Sequence, residues 1–396
     1  MNVLMAVVSD ITTDARVRRE AKALARDGHH VRVVAFDYGI RRPQTRHEDG
    51  VELALFPFPP RGSRRWRRLL GAALYCLRAG RTILRTDAAV YHAHNLHLAV
   101  PCALAARRGA HLVYDAHELV AARQQGVARW LTERYERAIW RRASATITTN
   151  ESRARHLQRH HGPPSPVVLG NYPEMPVGLG AVDLRERLGI GPDRRILVYQ
   201  GGLYTAARCF ELVAAALGRL PQWHWVLIGF GSDRSRTQLQ WILEDAGISA
   251  RAHLLPPVPV EELLALTAAC DAGLVPLRGT NLNNYLGDTN KLFEYLLAGI
   301  PAVGSDFPEI RRVIVNGPFG PVGSVFDPND VDSVVQALVD VEAALTDLKA
   351  AAARAGRALY TWDKESEKLV SLYDQLERRE RAPLGVPGPP ALAASP

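Results

Sequence analysis

The sequence predicts an α/β protein of two doubly wound domains, each a parallel sheet covered by helices on both faces. Short runs rich in valine, isoleucine and leucine alternate with segments of helical spacing through most of the chain. Such alternation requires parallel strands that are buried on both faces. It is interrupted once, by prolines and glycines between residues 170 and 195, and 396 residues suffice for two separate cores.

The first domain is predicted to span residues 1–170. Its first helix, over 14–27, places Val17, Ala21 and Leu24 on one face, and Gly28 ends it. Helices are also expected before each of the last three strands of this domain. The predicted strands, each a short apolar run, lie at 2–8, 30–36, 51–56, 88–92, 110–114 and 145–149.

The second domain is predicted to span residues 196–362, after a linker at 171–195 that is spaced by proline and glycine. Its strands are expected at 196–200, 225–228, 253–255, 272–275 and 301–303. A last helix follows at 363–380. Residues 381–396 are rich in proline, show no periodicity and are predicted to be disordered.

Composition excludes several classes of protein. No apolar run is long enough to span a bilayer, and the N-terminus has the pattern of a buried strand rather than of a signal peptide, so a cytoplasmic location is expected. The four cysteines lack a C-x-x-C pair, which argues against a disulfide framework or a zinc site. The pattern His92-x-His94-x-x-His97 closes a strand without a matching ligand cluster, so no metal site is expected.

The net charge of +8 leaves the question of an anionic partner. The basic residues form no recognisable nucleic-acid module, so nucleic acid is not an expected partner. Residues 61–85 form an amphipathic stretch flanked by arginines, for which two interpretations stay open. The helix lies on the anionic inner face of a membrane, as a peripheral contact, or it is a solvated basic helix without a membrane role. The sequence assigns no oligomeric state.

Two doubly wound domains leave a cleft between the carboxyl ends of their sheets, where ligands bind and helix N-termini attract phosphate. A diphosphate held in that cleft fits this architecture. A dehydrogenase would fit it too, but the first βα turn, residues 9–14, contains no glycine. The dinucleotide-binding pattern G-x-G-x-x-G is therefore absent there.

Several segments, spread over the chain in a fixed order, resemble glycosyltransferase family 4 of the GT-B fold. They are DARVRREA from Asp14, YHAHN from Tyr91, LVYDAHEL from Leu112, YQGGL from Tyr199, LIGFG from Leu227, KLFEYLLAGIP from Lys291 and YTW from Tyr360. The resemblance extends to about residue 378. It implies a retaining transferase that uses a nucleoside-diphosphate sugar as co-substrate without a metal cofactor, with the last helix packed back toward the first domain.

By this resemblance, Glu294 is the second glutamate of an E-x7-E element and accepts hydrogen bonds from the ribose hydroxyls, as a carboxylate facing a vicinal diol can. Leu286 occupies the position of the first glutamate, which in the family contacts the transferred sugar, so Asp288 is a candidate substitute. Arg208 matches a basic residue that stabilises the departing diphosphate. Gly202 stands where the family has a second basic residue.

The expected donor site lies in the second domain. Lys291 is expected to add charge beside the backbone N–H groups of residues 287–290, which sit at a helix N-terminus. The turn at 256–258 matches the place where the base is held through backbone atoms. The donor-binding candidates are Gly201, Gly202, Arg208, Gly229, Pro257, Val258, Gly287, Asp288, Thr289, Asn290, Lys291 and Glu294.

His117 matches a histidine near the reacting face of the sugar in related enzymes, and with Arg208 and Glu294 it completes the catalytic candidates. The alternative for His117 is a position in the core, or behind the residues that contact the sugar. The acceptor-binding candidates in the first domain are Asp14, Arg16, His94 and Asn95. Asp14 has the alternative role of favouring the helix N-terminus.

These observations predict a retaining glycosyltransferase that acts on a small-molecule acceptor, as in natural-product or thiol glycosylation. A lipid-linked or polysaccharide acceptor at the membrane is the first alternative. A sugar-nucleotide epimerase of the same fold is the second. The third is a catalytically silent partner subunit, since Gly202 and Leu286 replace two functional residues of the family.

Overall fold

The computed structural model describes residues 1–381 except six single positions, which are Arg61, Arg108, Pro176, Val177, Leu179 and Ala181. Residues 382–396 of the predicted disordered tail therefore lie outside the described residues, as do four residues of the predicted linker. The described chain contains two sheets with helices between their strands, which confirms the predicted α/β class with two Rossmann-like domains.

The first sheet has the strand order β3-β4-β2-β1-β5-β6-β7-β8. Its strands are β1 (Asn2–Asp10), β2 (His30–Asp37), β3 (Gln44–Glu48), β4 (Val51–Pro57), β5 (Val90–Ala93), β6 (His111–Ala116), β7 (Ala145–Thr148) and β8 (Val167–Val168). In register, Val3 of β1 pairs with Val31 of β2 and with Val90 of β5, both in parallel. The edge strand β3 pairs antiparallel with β4.

The described part of this half contains five α-helices, and the sequence marks both ends of the first. They are α1 (Ala15–Arg26), α2 (Arg65–Arg85), α3 (Leu96–Ala106), α4 (Gly126–Trp140) and α5 (Glu151–His161). Asp14 caps α1, since its Oδ1 accepts a hydrogen bond from the Val17 N–H at 3.2 Å. Gly28, with φ of 88°, follows the end of that helix in the left-handed region that glycine tolerates best.

The second sheet is parallel throughout, in the order β11-β10-β9-β12-β13-β14. Its strands are β9 (Arg195–Gln200), β10 (Trp223–Ile228), β11 (Ala252–Leu255), β12 (Ala272–Val275), β13 (Ala302–Ser305) and β14 (Gly323–Phe326). Counted within the sheet, this is the Rossmann order 3-2-1-4-5-6. The order reverses between β9 and β12, so ligands are expected at the carboxyl ends of these strands.

Helices cover both faces of the second sheet. They are α6 (Leu184–Leu188), α7 (Phe210–Gly218), α8 (Asp233–Asp245), α9 (Val260–Ala268), α10 (Leu282–Tyr285), α11 (Asn290–Leu297), α12 (Pro308–Ile314), α13 (Val331–Ala343) and α14 (Leu345–Leu359). A last helix, α15 (Trp362–Arg381), follows them, and Tyr373 of this helix contacts His92 of β5. Along β9, Ile196 and Val198 enter one hydrophobic core, whereas Leu197 and Tyr199 enter another. Alternate side chains are buried on opposite faces, as a doubly wound sheet requires.

The chain divides into two compact units. Among the described residues, the first comprises Met1–Asp115, Ile139–Thr146 and 366–381, and the second comprises Ala116–Ala138 and Ile147–Glu365. The predicted boundaries at residues 170, 195 and 362 stay a prediction. In the described part of the chain, no helix combines the length and the apolar character needed to cross a bilayer.

Three strands were not predicted from the sequence. The edge strand β3 is polar and largely exposed, so it lacks an apolar run. The strand β8 has only two residues, and β14 begins with glycine and serine. Each of them lies at or near a sheet edge, where burial on both faces is not required.

Candidate functional site

The carboxyl ends of three neighbouring strands in the second sheet bring several predicted donor residues to one edge. Gly201 follows β9, Gly229 follows β10, and Pro257 and Val258 follow β11. The Gly201 N–H donates to the Ile228 carbonyl at 2.9 Å. A Cβ at Gly229 would lie 1.8 Å from the Gly201 carbonyl oxygen, so this position accepts only glycine.

Two cations meet at Tyr199, the last residue but one of β9. Arg208 Nε donates to the Tyr199 hydroxyl at 3.1 Å, and Lys291 Nζ lies 5.4 Å from the centroid of the Tyr199 ring. The hydroxyl in turn donates to the Gly202 carbonyl at 2.8 Å. Tyr199 therefore links the predicted cations Arg208 and Lys291 to the glycine turn, although it was not among the predicted site residues.

The charge on Lys291 is poorly stabilised. The pKa of Lys291 is lowered from 10.5 to about 8, chiefly by burial and also by the positive charge of Arg208, whereas Glu294 opposes the shift. A depressed pKa means that the surroundings favour the neutral amine. An anion bound beside Lys291 and Arg208 would reverse this preference, so the two cations form a site suited to negative charge.

Glu294 is half-buried and lies one helical turn after Lys291 on α11. A residue of β9 orients its carboxylate. Gln200 Nε2 donates a short hydrogen bond to Glu294 Oε2. The Gln200 Oε1 accepts from Thr267 Oγ1 at 2.8 Å, which fixes the amide. The Gln200 backbone N–H donates to the Tyr295 hydroxyl at 3.3 Å. These bonds hold the Glu294 carboxylate in one orientation.

The N-terminus of α11 carries an unsatisfied hydroxyl. Thr289 is the N-cap residue, and its side chain makes no capping hydrogen bond. Among the residues that the structure describes, Thr289 Oγ1 is buried and has no hydrogen-bond partner. Buried polar atoms are normally paired, so this hydroxyl suits a ligand. The neighbouring Asn290 Oδ1 accepts from Asn171 Nδ2 at 2.8 Å.

Gly287 lies just after the short helix α10. Its N–H donates to the Asn284 carbonyl at 3.3 Å within the loop. The expectation that the N–H groups of residues 287–290 bind a diphosphate stays a prediction.

Asp288, the candidate substitute for the first glutamate, is held by Asn150. The Asn150 Nδ2 donates to Asp288 Oδ1 at 3.0 Å and to the Leu286 carbonyl at 3.1 Å. Burial raises the pKa of Asp288 and Glu309 adds to the rise, whereas Arg153 and the bond from Asn150 lower it. Asp288 thus fixes its own loop, and its contact with a sugar stays a prediction.

Arg153 is buried and joins the segment that begins at His117 to the loop before α11. Its Nη1 donates at 2.7 Å to the His117 carbonyl and to Thr149 Oγ1. Its Nη2 donates to Asn283 Oδ1 at 3.1 Å, and the same oxygen accepts from the Leu119 N–H at 2.9 Å. The predicted catalytic candidate His117, half-buried after β6, therefore has its backbone fixed by Arg153. The role of its imidazole stays a prediction.

In the first unit, the predicted acceptor residue Arg16 lies inside the protein. Its side chain is 5% exposed, with Nε 2.9 Å from Glu20 Oε1 and Nη2 2.9 Å from Asp115 Oδ2. His94, equally buried, has its Nδ1 3.7 Å from Asp115 Oδ2. Arg16 and His94 are thus part of a buried charge cluster, and a direct contact with an acceptor stays a prediction.

Glu20 favours its protonated form in this cluster. Burial alone would lower the pKa of Arg16, but Asp115 and Glu20 outweigh it and raise that pKa. The pKa of Glu20 is raised from 4.5 to about 8, chiefly by burial, while Arg16 opposes the rise and Asp115 adds to it. With this raised pKa, Glu20 holds a proton near neutral pH.

Of the three histidines in the pattern that begins at His92, two lie together and the third lies apart. His92 and His94 stack at 4.1 Å between ring centroids, and His92 Nδ1 lies 2.9 Å from the Tyr373 hydroxyl. His97 is exposed. Ligand atoms of Glu20, His94 and Asp115 lie within 4.8 Å of one another, the spacing of a metal site. Arg16 already supplies a cation against two of these groups.

The remaining acceptor candidates, Asp14 and Asn95, both precede helices. The Asp14 carboxylate caps α1 and also accepts from Ser9 Oγ at 2.5 Å. Asn95 is the N-cap residue of α3 without a capping bond, and its buried Oδ1 has no hydrogen-bond partner in the described part of the chain. Asn95 therefore has an unmet polar atom that an acceptor could satisfy.

Several residues that build the site were not predicted. They are Tyr199, Gln200, Thr267, Asn150, Arg153 and Asn283. Gln200 carried a usable signal, because a polar side chain that ends a buried apolar strand lies at the ligand edge of a parallel sheet. Hydrogen bonds of Asn150 and Arg153 reach residues 136 and 130 positions away, which no local pattern indicates.

Comparison with known proteins gives matches for both halves of the chain. Residues 13–171 match the family model of the glycosyl transferase 4-like domain, and residues 194–343 match that of the glycosyl transferases group 1. No curated protein sequence matches at a significant level.

Solved structures of similar fold cover nearly the whole chain. Sucrose-phosphate synthase from Thermosynechococcus elongatus is 16% identical with a TM-score of 0.78, covering 96% of this chain and 100% of its own. HepE from Anabaena, solved with UDP, is 15% identical with a TM-score of 0.72, covering 95% and 100%. The α,α-trehalose-phosphate synthase (UDP-forming) from Burkholderia vietnamiensis is 12% identical with a TM-score of 0.69, covering 96% and 100%. These likenesses show the fold alone.

The buried cluster around Arg16 generates a stability prediction. Arg16→Met leaves buried carboxyls without their cation and is expected to cost about 3–5 kcal/mol in the free energy of unfolding. Glu20→Gln replaces a carboxyl that is already protonated and is expected to cost about 1 kcal/mol or less at pH 7. Chemical denaturation measures both. Equal destabilisation by the two substitutions would contradict the assignment of the proton to Glu20.

The same cluster sets a pH dependence. Because the pKa of Glu20 rises on folding from 4.5 to about 8, its contribution to stability is complete below pH 4.5 and is lost as the pH rises through 8. Glu20→Gln should flatten the decline in stability over this window. The control is Glu48→Gln, a half-exposed carboxyl paired with Arg18, which should keep the wild-type slope.

Proposed function

Because the chain is a glycosyltransferase of the GT-B type, we propose that it transfers a sugar from a nucleoside-diphosphate sugar to an acceptor with retention of anomeric configuration. The observation that carries this proposal is the meeting of Lys291 and Arg208 at Tyr199, one helical turn from Glu294. Two cations and a fixed carboxylate are what a diphosphate and a ribose require. UDP, the nucleotide bound to HepE, is the first donor nucleotide to test.

The diphosphate is bound by Lys291 and Arg208. The leaving nucleoside diphosphate gains negative charge as the bond from the anomeric carbon to the phosphate oxygen breaks. Cations fixed beside that oxygen stabilise the transition state more than the ground state. Arg208 is fixed by its bond to Tyr199, and the lowered pKa of Lys291 shows that its charge is under-solvated before a ligand binds. Thr289 Oγ1 donates a further hydrogen bond to a phosphate oxygen.

The nucleoside is held by Glu294 and by the ends of β10 and β11. Glu294 accepts hydrogen bonds from the two ribose hydroxyls, and Gln200 keeps the carboxylate oriented for them. Gly229, Pro257 and Val258 lie at the same sheet edge, where backbone groups reach the base. Gly229 allows the close approach that this requires, because a side chain there would collide with Gly201.

In the retaining mechanism, the acceptor attacks the face from which the diphosphate leaves. The bond between the acceptor atom and the anomeric carbon forms as the carbon–phosphate oxygen bond breaks, and the acceptor proton passes to the departing phosphate oxygen. The protein contributes position and charge. His117 orients the sugar, and the positive charge at the phosphate comes from Arg208 and Lys291, so the reaction as proposed uses no metal ion.

The acceptor is proposed to be a small molecule, a natural product or a thiol, met in the cytoplasm. Asn95, whose Oδ1 lacks a partner, is the first candidate for binding it, and Asp14 lies at the start of the neighbouring α1. A lipid-linked or polysaccharide acceptor at the inner face of the membrane is the second candidate. It is favoured by one observation, the exposed apolar side chains of the arginine-rich helix α2.

Nucleotide binding tests the donor site. Isothermal titration calorimetry with UDP, GDP, ADP and dTDP should identify one nucleotide that binds the wild type. Glu294→Ala should lower the affinity for that nucleotide about tenfold or more, since a charged hydrogen bond contributes about 1.5–3 kcal/mol. A ligand at about one hundred times its dissociation constant also adds roughly 2.7 kcal/mol to the free energy of unfolding. Glu262→Ala, an exposed glutamate on α9, is the matched control and should bind as the wild type does.

The rival functions give different results in this assay. A silent partner subunit would bind none of the nucleotides at millimolar concentration, or would bind them equally well with Glu294→Ala. A sugar-nucleotide epimerase would bind the nucleotide but release no free nucleoside diphosphate when supplied with donor and acceptor. Either result would contradict transferase activity.

Retention has its own measurement. The proton coupling constant at the anomeric carbon of the first product, read by NMR, should report the same configuration as in the donor sugar. Attack on the departure face within an ion pair allows only this outcome. An inverted product would contradict the proposed mechanism and would require a general base on the opposite face.

A further inference from the structure

Helix α2 has two apolar faces, and only one of them is buried. On the inner face Tyr75, Ala79 and Ile83 are fully buried. The Tyr75 hydroxyl donates to the Val34 carbonyl at 3.2 Å, and its ring packs edge-on against Phe36 at 5.5 Å between centroids. This face accounts for the position of α2 in the first unit, but it uses only part of the apolar side chains of the helix.

The outer face is an unburied apolar stripe. Trp66, Leu70 and Leu77 are 56%, 53% and 71% exposed, and Leu84 continues the stripe. At about 100° per residue, Leu77 lies roughly 200° around the helix from Tyr75, so the stripe is opposite the buried face. Spacings of four and seven residues keep its members on one side. From Trp66 to Leu84 the stripe is about 27 Å long, on a helix of 21 residues.

The neighbouring helix α3 extends the apolar surface. A Cβ at Gly80 of α2 would lie 3.7 Å from Pro101 Cβ of α3, so the two helices are in direct contact. On α3, Val100 and Leu104 are 40% and 42% exposed. Solvent-facing leucines and valines on two packed helices of the same unit exceed the isolated apolar side chains of an ordinary surface.

The same helix carries positive charge without any negative charge. Residues 64–85 include no aspartate or glutamate. Their arginines are Arg64, Arg65, Arg67, Arg68, Arg78, Arg81 and Arg85. Within the described residues, none of these arginines forms an ion pair with a carboxylate, although other arginines of the chain do. Arg67 also lies over the Trp66 ring, 5.4 Å from its centroid, at one end of the stripe.

We propose that this outer face of α2 docks onto an anionic lipid bilayer. A helix with an apolar stripe flanked by arginines lies in the interface plane, with leucine and tryptophan among the acyl chains and the guanidinium groups at the phosphates. Each arginine near the surface adds electrostatic attraction to acidic lipid headgroups. A bilayer accepts an apolar stripe of this length without a complementary groove, so the surface needs no shaped partner.

The charge pattern favours the bilayer over a second copy of the chain. A two-fold dimer places the same patch on both subunits, so the arginines of one α2 would face those of the other. Like charges brought together at an interface oppose association. The inference is independent of the proposed transfer reaction, because it rests on α2 and α3 alone and on none of the donor residues.

Vesicle sedimentation tests the docking surface. The full chain should bind to vesicles of phosphatidylcholine that contain about 30% phosphatidylglycerol. It should bind far less to vesicles of pure phosphatidylcholine, because acidic headgroups supply the attraction. Leu70→Ser with Leu77→Ser should reduce the affinity about tenfold or more, by removing the inserted side chains. Arg78→Gln with Arg81→Gln should reduce it as well, and added salt should weaken binding of the wild type.

Matched controls distinguish binding through this surface from nonspecific adsorption to vesicles and from unfolding of the variants. Trp241→Ser removes a tryptophan that is 63% exposed on α8, and Arg354→Gln with Arg357→Gln removes two exposed arginines of α14. These variants should bind vesicles as the wild type does. Every variant should keep the wild-type response to nucleotide, so a failed donor assignment does not affect the reading of the vesicle experiment.

Two results would overturn the inference. One is that the wild type does not bind anionic vesicles, or that both α2 double variants bind them as tightly as the wild type does. The other is a concentration-dependent dimer, seen by light scattering and abolished by Leu70→Ser with Leu77→Ser, in a protein that does not bind vesicles. The latter would identify the stripe as a contact between two copies of the chain.

Discussion

Lys291 and Arg208 place two positive charges at Tyr199, where the second sheet has its topological switch point. The glycines after β9 and β10 keep that edge open, since Gly229 could bear no side chain beside the Gly201 carbonyl. Burial, and then the positive charge of Arg208, lower the pKa of Lys291 before any anion binds. This arrangement gains most from a ligand that carries several negative oxygens. The orientation of Glu294 by Gln200 then selects a ligand whose diphosphate is joined to a diol.

The buried cation of the first unit, Arg16, has the opposite electrostatic surroundings. The Arg16 guanidinium lies 2.9 Å from carboxyl oxygens of both Asp115 and Glu20, and its pKa is raised rather than lowered. A guanidinium with its full set of partners stabilises the protein and offers little to a ligand. The contrast between Arg16 and Lys291 separates internal structure from binding site better than residue type does, since both positions were functional candidates in the sequence.

Most of the secondary structure could be predicted, because strands buried on both faces leave apolar runs and helix ends leave caps such as Asp14 and Gly28. Chemistry confined to one motif was also accessible, as Lys291 and Glu294 share a helix and Gly201 ends a strand. The polar edge strand β3 could not be predicted, because it has no apolar run. The roles of Asn150 and Arg153 could not be predicted either, because partners of theirs lie 136 and 130 residues away and only the folded chain brings them together.

The pKa of Lys291, with and without UDP, is the most direct test of the charge arrangement at the donor site. Labelled lysine side chains can be followed by NMR, because the chain has only five lysines, at positions 22, 291, 349, 364 and 368. The Lys291 signal should titrate near pH 8 in the free protein and well above that value when UDP is bound, since the diphosphate favours the charged amine. A Lys291 pKa that saturating UDP leaves unchanged would contradict the donor site described for this protein.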